Sequence, residues 1–122
     1  MTPLTLVLGP AGSDREHAIA AEIATWGPRA PGVRVAAILE GLPTGQATLL
    51  ASATLDLHRI APGCLCCTGN LVLRVTLNRL LRRPPDHLFI GMASLEHLDQ
   101  LRSWLSNSPY DQLLELRPDL RT

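Results

Sequence analysis

The segment Gly63-Cys64-Leu65-Cys66-Cys67-Thr68 carries the most chemistry per residue in this chain. It holds all three cysteines of 122 residues, within four consecutive positions. Thiolates this close together select soft or borderline ions such as Zn(II) and Cu(I). Gly63 and Gly69 flank them and let the backbone fold so that several sulfurs face one point. A helix opening at Asn70 would set its positive end beside the sulfurs and favour the thiolate form. Cys64, Cys66 and Cys67 would leave one tetrahedral position vacant, which suits a transferable ion better than a closed structural site. His58 and Glu40 are the nearest candidates for a fourth donor. The competing reading makes the cysteines small buried hydrophobes, with one or two of them reachable.

A second constellation lies near the start. Gly9-Pro10-Ala11-Gly12-Ser13-Asp14-Arg15-Glu16 stands between a short apolar run and an amphipathic helix, where a phosphate-binding loop belongs. A working loop reads G-x-x-x-x-G-K-[ST]: its amides cradle phosphate, its lysine reaches the outer oxygens and its hydroxyl holds magnesium. Gly9 and Gly12 are present, but Asp14, Arg15 and Glu16 replace the glycine, the lysine and the hydroxyl residue. An arginine fork is not a compact ammonium, and two carboxylates would face an incoming polyphosphate. Ser13 and Glu16 have capping-box spacing, and Asp14 suits a helix start. The degenerate loop Gly9, Gly12, Ser13, Arg15, Glu16 is therefore expected to cap its own helix rather than hold nucleotide.

Composition narrows the functional classes. All 11 basic residues are arginine, 11 acidic residues balance them, and lysine is absent, which excludes Schiff-base chemistry and a lysine-bearing phosphate loop. A formal net charge of zero argues against a dedicated nucleic-acid binder. Leucine supplies 24 residues against four aromatics, so the core is aliphatic and offers few stacking platforms. No apolar run approaches a membrane span, and the first residues lack a secretory pattern, so a cytoplasmic protein is expected.

The elements that position these groups follow from periodicity. Strands are expected at Leu4–Leu8, Val33–Leu39, Thr54–Ile60, His87–Ile90 and Gln112–Leu116. A first helix follows Ser13, with Ala18, Ile19, Ile23 and Trp26 on one face and Gly27-Pro28 as its stop. A second runs from Leu71 to Arg83 on Leu73, Leu77, Leu80 and Leu81, and a third is capped by Ser94 with Leu98, Leu101 and Leu105 inward. Gly41–Ala53 reads as loop with a short helix. Alternating strands and helices imply one α/β domain over residues 1–122, three-layered, with a mainly parallel sheet. Arg74, Arg79, Arg82 and Arg83 give the second helix a basic outer face; it, like His87 and His97, is read first as ordinary solvated surface.

In these motifs the chain resembles the CobW family of P-loop GTPases, metal-insertion chaperones and zinc-homeostasis factors. The family pattern is a phosphate loop, an Asn-Glu-Phe-Gly-like segment after the second strand, and Gly-Cys-x-Cys-Cys-Thr before an amphipathic helix. Leu39-Glu40-Gly41 occupies the second place, and residues 63–68 match the third fully. Asp86-His87-Leu88-Phe89-Ile90 is similar to the family's next strand, Asp-His-Ile-Ile-Ile. That strand ends in Glu-Thr-Ser-Gly in the family, but in Gly91-Met92-Ala93-Ser94 here, and the guanine-reading motif needs a lysine this chain lacks. The resemblance covers the first half of the family's GTPase domain and implies a truncated P-loop NTPase-like fold.

What it implies for function is a non-catalytic relative that binds a metal ion, zinc foremost, through Cys64, Cys66 and Cys67, in metal handling or regulation. GTP and magnesium are not expected as cofactors. A sheet edge left exposed by truncation implies a homodimer or pairing with a complete relative. The alternatives are a GTP-binding metallochaperone with residual hydrolysis, in which Arg15 replaces lysine, and a structural module with inert cysteines.

Overall fold

Seven residues from Thr2 to Leu8 form β1, an inner strand of the sheet. The computed structural model describes residues 1–25, 33–41, 55–60, 70–93, 98–107 and 109–122. After β1 come α1 (Gly12–Thr25), β2 (Val35–Glu40), β3 (Leu55–Ile60), α2 (Asn70–Leu81), β4 (His87–Met92) and α3 (Leu98–Leu105). A 3-10 turn at Tyr110–Gln112 then leads to the short strands β5 (Leu114–Leu116) and β6 (Leu120–Arg121). The sheet order is β3-β2-β4-β1-β5, with β6 also on β1, and every pairing is parallel.

Period-two alternation divides the strand side chains between two cores. Leu4, Leu6, Leu8, Ala36, Ile38, Leu88, Ile90 and Met92 face α2 and α3, where they meet Leu73, Leu77, Leu98, Leu101 and Leu105. Val7, Val35, Ala37, Leu39 and Phe89 face α1, where Ile19 is buried and Ala18 and Ile23 are partly buried. Helices on both faces of a parallel sheet make the expected three-layer α/β, P-loop NTPase-like fold. Among the described residues, no helix is long and apolar enough to cross a membrane.

Several boundaries differ from the periodicity reading, each for a local reason. Strand β1 runs back through Pro3 because β4 pairing starts only at Leu4; at Pro3 the chain has a partner on one side only, where a missing N–H is tolerated. Strand β4 continues through Gly91 and Met92, which pair with Val7 and Leu8. The last strand is interrupted: Leu4 faces Leu116, but Val7 faces Leu120, so one extra residue bulges at Arg117-Pro118-Asp119. Helix α2 ends at Leu81, two residues before the Arg83 expected, because Pro84-Pro85 disfavours helical backbone ahead of it. The Gly27-Pro28 stop, Trp26, the Gly41–Ala53 loop beyond Gly41, the Ser94 cap and His97 lie outside the described residues.

Arginines of the outer surface are partly structural. Arg74 on α2 sits 5.4 Å over the Trp104 ring, which packs on Tyr110 at 4.9 Å, and the Tyr110 hydroxyl donates to Asn78 Oδ1 at 2.8 Å. This ties α2 to α3 and its following turn, so one member of the basic face has a packing role.

Candidate functional site at the carboxyl ends of the strands

Strands β1 and β4 are neighbours, yet the helices that follow them cover opposite faces of the sheet. A crevice opens at such a reversal, outside the carboxyl ends of the strands. Parallel register brings Leu8 beside Met92, Leu39 beside Gly91 and Glu40 beside Ile60. The first loop, the residue that follows β4 and the entrance to the cysteine segment are therefore collected at one end of the sheet. Cys64, Cys66 and Cys67 themselves lie outside the described residues, as do Gly63 and Thr68.

The first loop is drawn inward by its own arginine. Arg15 is 5% exposed; its Nη1 donates to the Gly9 carbonyl and its Nη2 to the Glu40 carbonyl at 3.3 Å. Gly9 N–H donates to the Met92 carbonyl at 3.2 Å, and the Glu40 side chain accepts from Ala93 N–H at 3.3 Å. Gly41, with φ 81°, turns the chain so that its N–H reaches the Ile60 carbonyl at 2.7 Å. Together these bonds connect the ends of β1, β2, β3 and β4.

Glu16 corrects two expectations. Helix α1 opens at Gly12, and Arg15 N–H donates to the Ala11 carbonyl, so Ser13 and Asp14 are exposed residues of the first turn and no capping box forms. Glu16 instead is 4% exposed and receives both ends of the Arg59 guanidinium, at 3.0 and 3.4 Å. Of these two acidic residues Asp14 is the exposed one, and the Glu16 charge is answered inside the protein. A bidentate arginine is the geometry that best offsets the desolvation of a buried carboxylate.

Gly91 lies close under Leu39, with Arg15 next to it. A Cβ there would lie 3.1 Å from Leu39 Cδ2 and 3.8 Å from Arg15 Cδ and Nε. The arginine stem is thus within van der Waals reach of that position, while Leu39 is tighter than ordinary contact. Gly91→Val is accordingly expected to lower stability by about 1–3 kcal/mol, through overpacking against Leu39 and Arg15. A reduced denaturation midpoint in urea at an unchanged slope would register it.

Sequence reasoning did not reach Arg59 or the last residues of the chain. Thr122 N–H and its hydroxyl both donate to the Leu8 carbonyl, at 2.9 and 3.3 Å, and its side chain fills the space a Cβ on Gly9 would need. A cavity of about 230 Å³ remains between Gly9, Pro10, Ala93 and Thr122. Of the two candidate fourth donors, Glu40 is engaged with Ala93 and belongs to the strand-end network. His58 Nε2 is 3.0 Å from Asp56 Oδ1 at an angle that makes no hydrogen bond. Among the described residues, no group of three or more metal-ligating side chains converges.

His87, expected to be simply exposed, is half-buried toward the opposite end of the sheet. Its Nε2 is 3.0 Å from the Thr5 hydroxyl, in the wall of a cavity of about 450 Å³ shared with Glu22, Arg117 and Asp119. Burial, and then the Arg117 guanidinium, hold the imidazole below its ordinary 6.5, with Glu22 opposing. The folded state therefore favours the neutral ring, and the unfolded chain takes up the proton first as pH falls. That contribution to stability is whole above pH 6.5 and is lost as pH drops through the lowered folded value. Thermal midpoints measured from neutral to mildly acidic pH should fall further for the natural chain than for His87→Gln.

The sequence model of the CobW/HypB/UreG nucleotide-binding domain matches residues 3–115. The chain belongs to that family. Within the family's range of proteins, it is 38% identical over 73 residues to the zinc chaperone YeiR of Escherichia coli (strain K12). That match takes in 59% of this chain but 22% of YeiR, so the matched stretch spans about a fifth of that relative's length. No solved structure gives a significant match. Family membership agrees with the strand–loop–helix opening formed by β1, the loop from Gly9 and α1.

Proposed function

We propose that this CobW-family chain handles a metal ion, zinc foremost, through Cys64, Cys66 and Cys67, and that it does so without hydrolysing nucleotide. One observation carries the second half: the side chain in the lysine place, Arg15, is turned into its own loop and bonded to Gly9 and Glu40. Around it, Glu16 stands where a magnesium-binding hydroxyl would, committed to Arg59, and Gly91 offers no carboxylate. These residues do not fit magnesium–nucleotide. The first half is supported by the intact Gly-Cys-Leu-Cys-Cys-Thr run and by the likeness to a zinc chaperone. Three thiolates would hold the ion as cargo, leaving a ligand position through which it could pass to a recipient.

The second reading is a GTP-binding chaperone with residual hydrolysis, which family membership in a nucleotide-binding domain favours. Calorimetric titration separates the two. Zinc binding below micromolar concentration, with magnesium–GTP weaker than about 1 mM, is expected; tight GTP binding with measurable phosphate release would replace the first reading by the second. Pairing with a second copy, or with a longer relative, along the β3 edge completes the proposal. Sedimentation at micromolar protein tests it, a strictly monomeric chain that ignores such a relative being the contrary result.

A further inference from the structure

The geometry points to Arg15 as a positioning residue: an internal cation that ties the first loop to the end of β2 and keeps the ends of β1 to β4 in one arrangement, with or without nucleotide. A planar guanidinium can donate to two carbonyls on different strands at once, which a single ammonium on a lysine stem does less well. Arg15 does this at 5% exposure, joining Gly9 at the end of β1 to Glu40 at the end of β2. The guanidinium also passes 3.5 Å from where a Cβ on Gly12 would stand, so it fills the inside of the loop rather than leaving it.

From Glu40 the connection continues in two directions. Its side chain holds Ala93 N–H at the end of β4, and its neighbour Gly41 holds the Ile60 carbonyl at the end of β3. Ile60 is the last described residue before the segment that carries Cys64. An arrangement that a bound phosphate and its cation would otherwise stabilise is here stabilised by one side chain. The consequence for metal handling is that Ile60, from which the chain continues toward Cys64, is held independently of nucleotide. That part rests on the zinc reading above; the tie itself does not.

Amide hydrogen exchange in the full chain, read residue by residue by NMR, tests the tie. Gly9, Gly41 and Ala93 are each donors in the network, so their exchange reports its opening. Arg15→Met keeps the stem and removes both bonds. It should speed exchange at these three amides by about tenfold or more, while Leu6 and Ile38 in the strand centres stay protected. Arg15→Lys should fall between, and about 1 mM magnesium–GTP should leave the natural chain unchanged. Unchanged rates in Arg15→Met, or protection of the natural chain by magnesium–GTP, would overturn the inference. If Arg15→Met also exposes Leu6 and Ile38, Arg15→Lys decides, and natural rates in that folded variant are equally contrary. In a parallel zinc titration Arg15→Met should bind about tenfold more weakly. Equal affinity would detach the tie from the cysteines, whereas a natural chain that takes no zinc removes the zinc reading and leaves the tie to the exchange result.

Discussion

Arg59→Met is expected to destabilise the fold by about 3–5 kcal/mol, the cost of leaving one charge of a buried pair without its partner. The Glu16 side chain is 5% exposed and the Arg59 side chain 19%, so little water reaches the carboxylate when the guanidinium is withdrawn. The double variant Glu16→Leu with Arg59→Met should recover most of the loss, because apolar replacement of a whole buried pair is often neutral. Urea midpoints of the natural chain, both singles and the double form a closed cycle. Additive losses would show that Glu16 and Arg59 do not act together.

Cys66→Ser is expected to weaken zinc binding by about 100-fold or more, since even the loss of a group that merely orients a metal ligand costs 10–100-fold. A hydroxyl is a poor substitute for a thiolate toward a borderline ion. Cys64→Ser and Cys67→Ser should behave alike if all three sulfurs share the ion, and competition with a chromophoric chelator measures each. A variant that loses no affinity would remove its cysteine from the set. Loss in none of the three would favour the reading of these residues as inert.

Much of the architecture was legible in the sequence because its signals were periodic. Leu73, Leu77 and Leu80 announce a helix with one buried face, and the runs at Leu4–Leu8 and His87–Ile90 announce the two central strands. The boundaries that moved depended on partners far along the chain: Pro3 is tolerated by the position of β4, and Gly91-Met92 joins β4 because Val7 and Leu8 wait beside it. The site was legible in its residue types and less so in its bonds. Ser13 and Glu16 had the spacing of a local cap, but a carboxylate that can reach a guanidinium on another strand is better satisfied there. A stricter alternation on β3 would have exposed this, since Leu55, Leu57 and Arg59 share the face toward α1 and a charge on an apolar face demands a partner. The inward turn of Arg15 had no local signal, because one of its two acceptors is the Glu40 carbonyl, 25 positions later in the sequence.

Arg15 and Glu16 are committed to internal contacts, and the run from Cys64 to Cys67 is intact in the sequence; the proposed metal handling without nucleotide rests on these two facts. Elemental analysis of protein purified without oxygen tests that account most directly. About one zinc per chain, lost in Cys66→Ser and unaffected by magnesium–GTP, is the result it predicts. Reduced, folded protein that carries no metal and takes up none when zinc is supplied would contradict it.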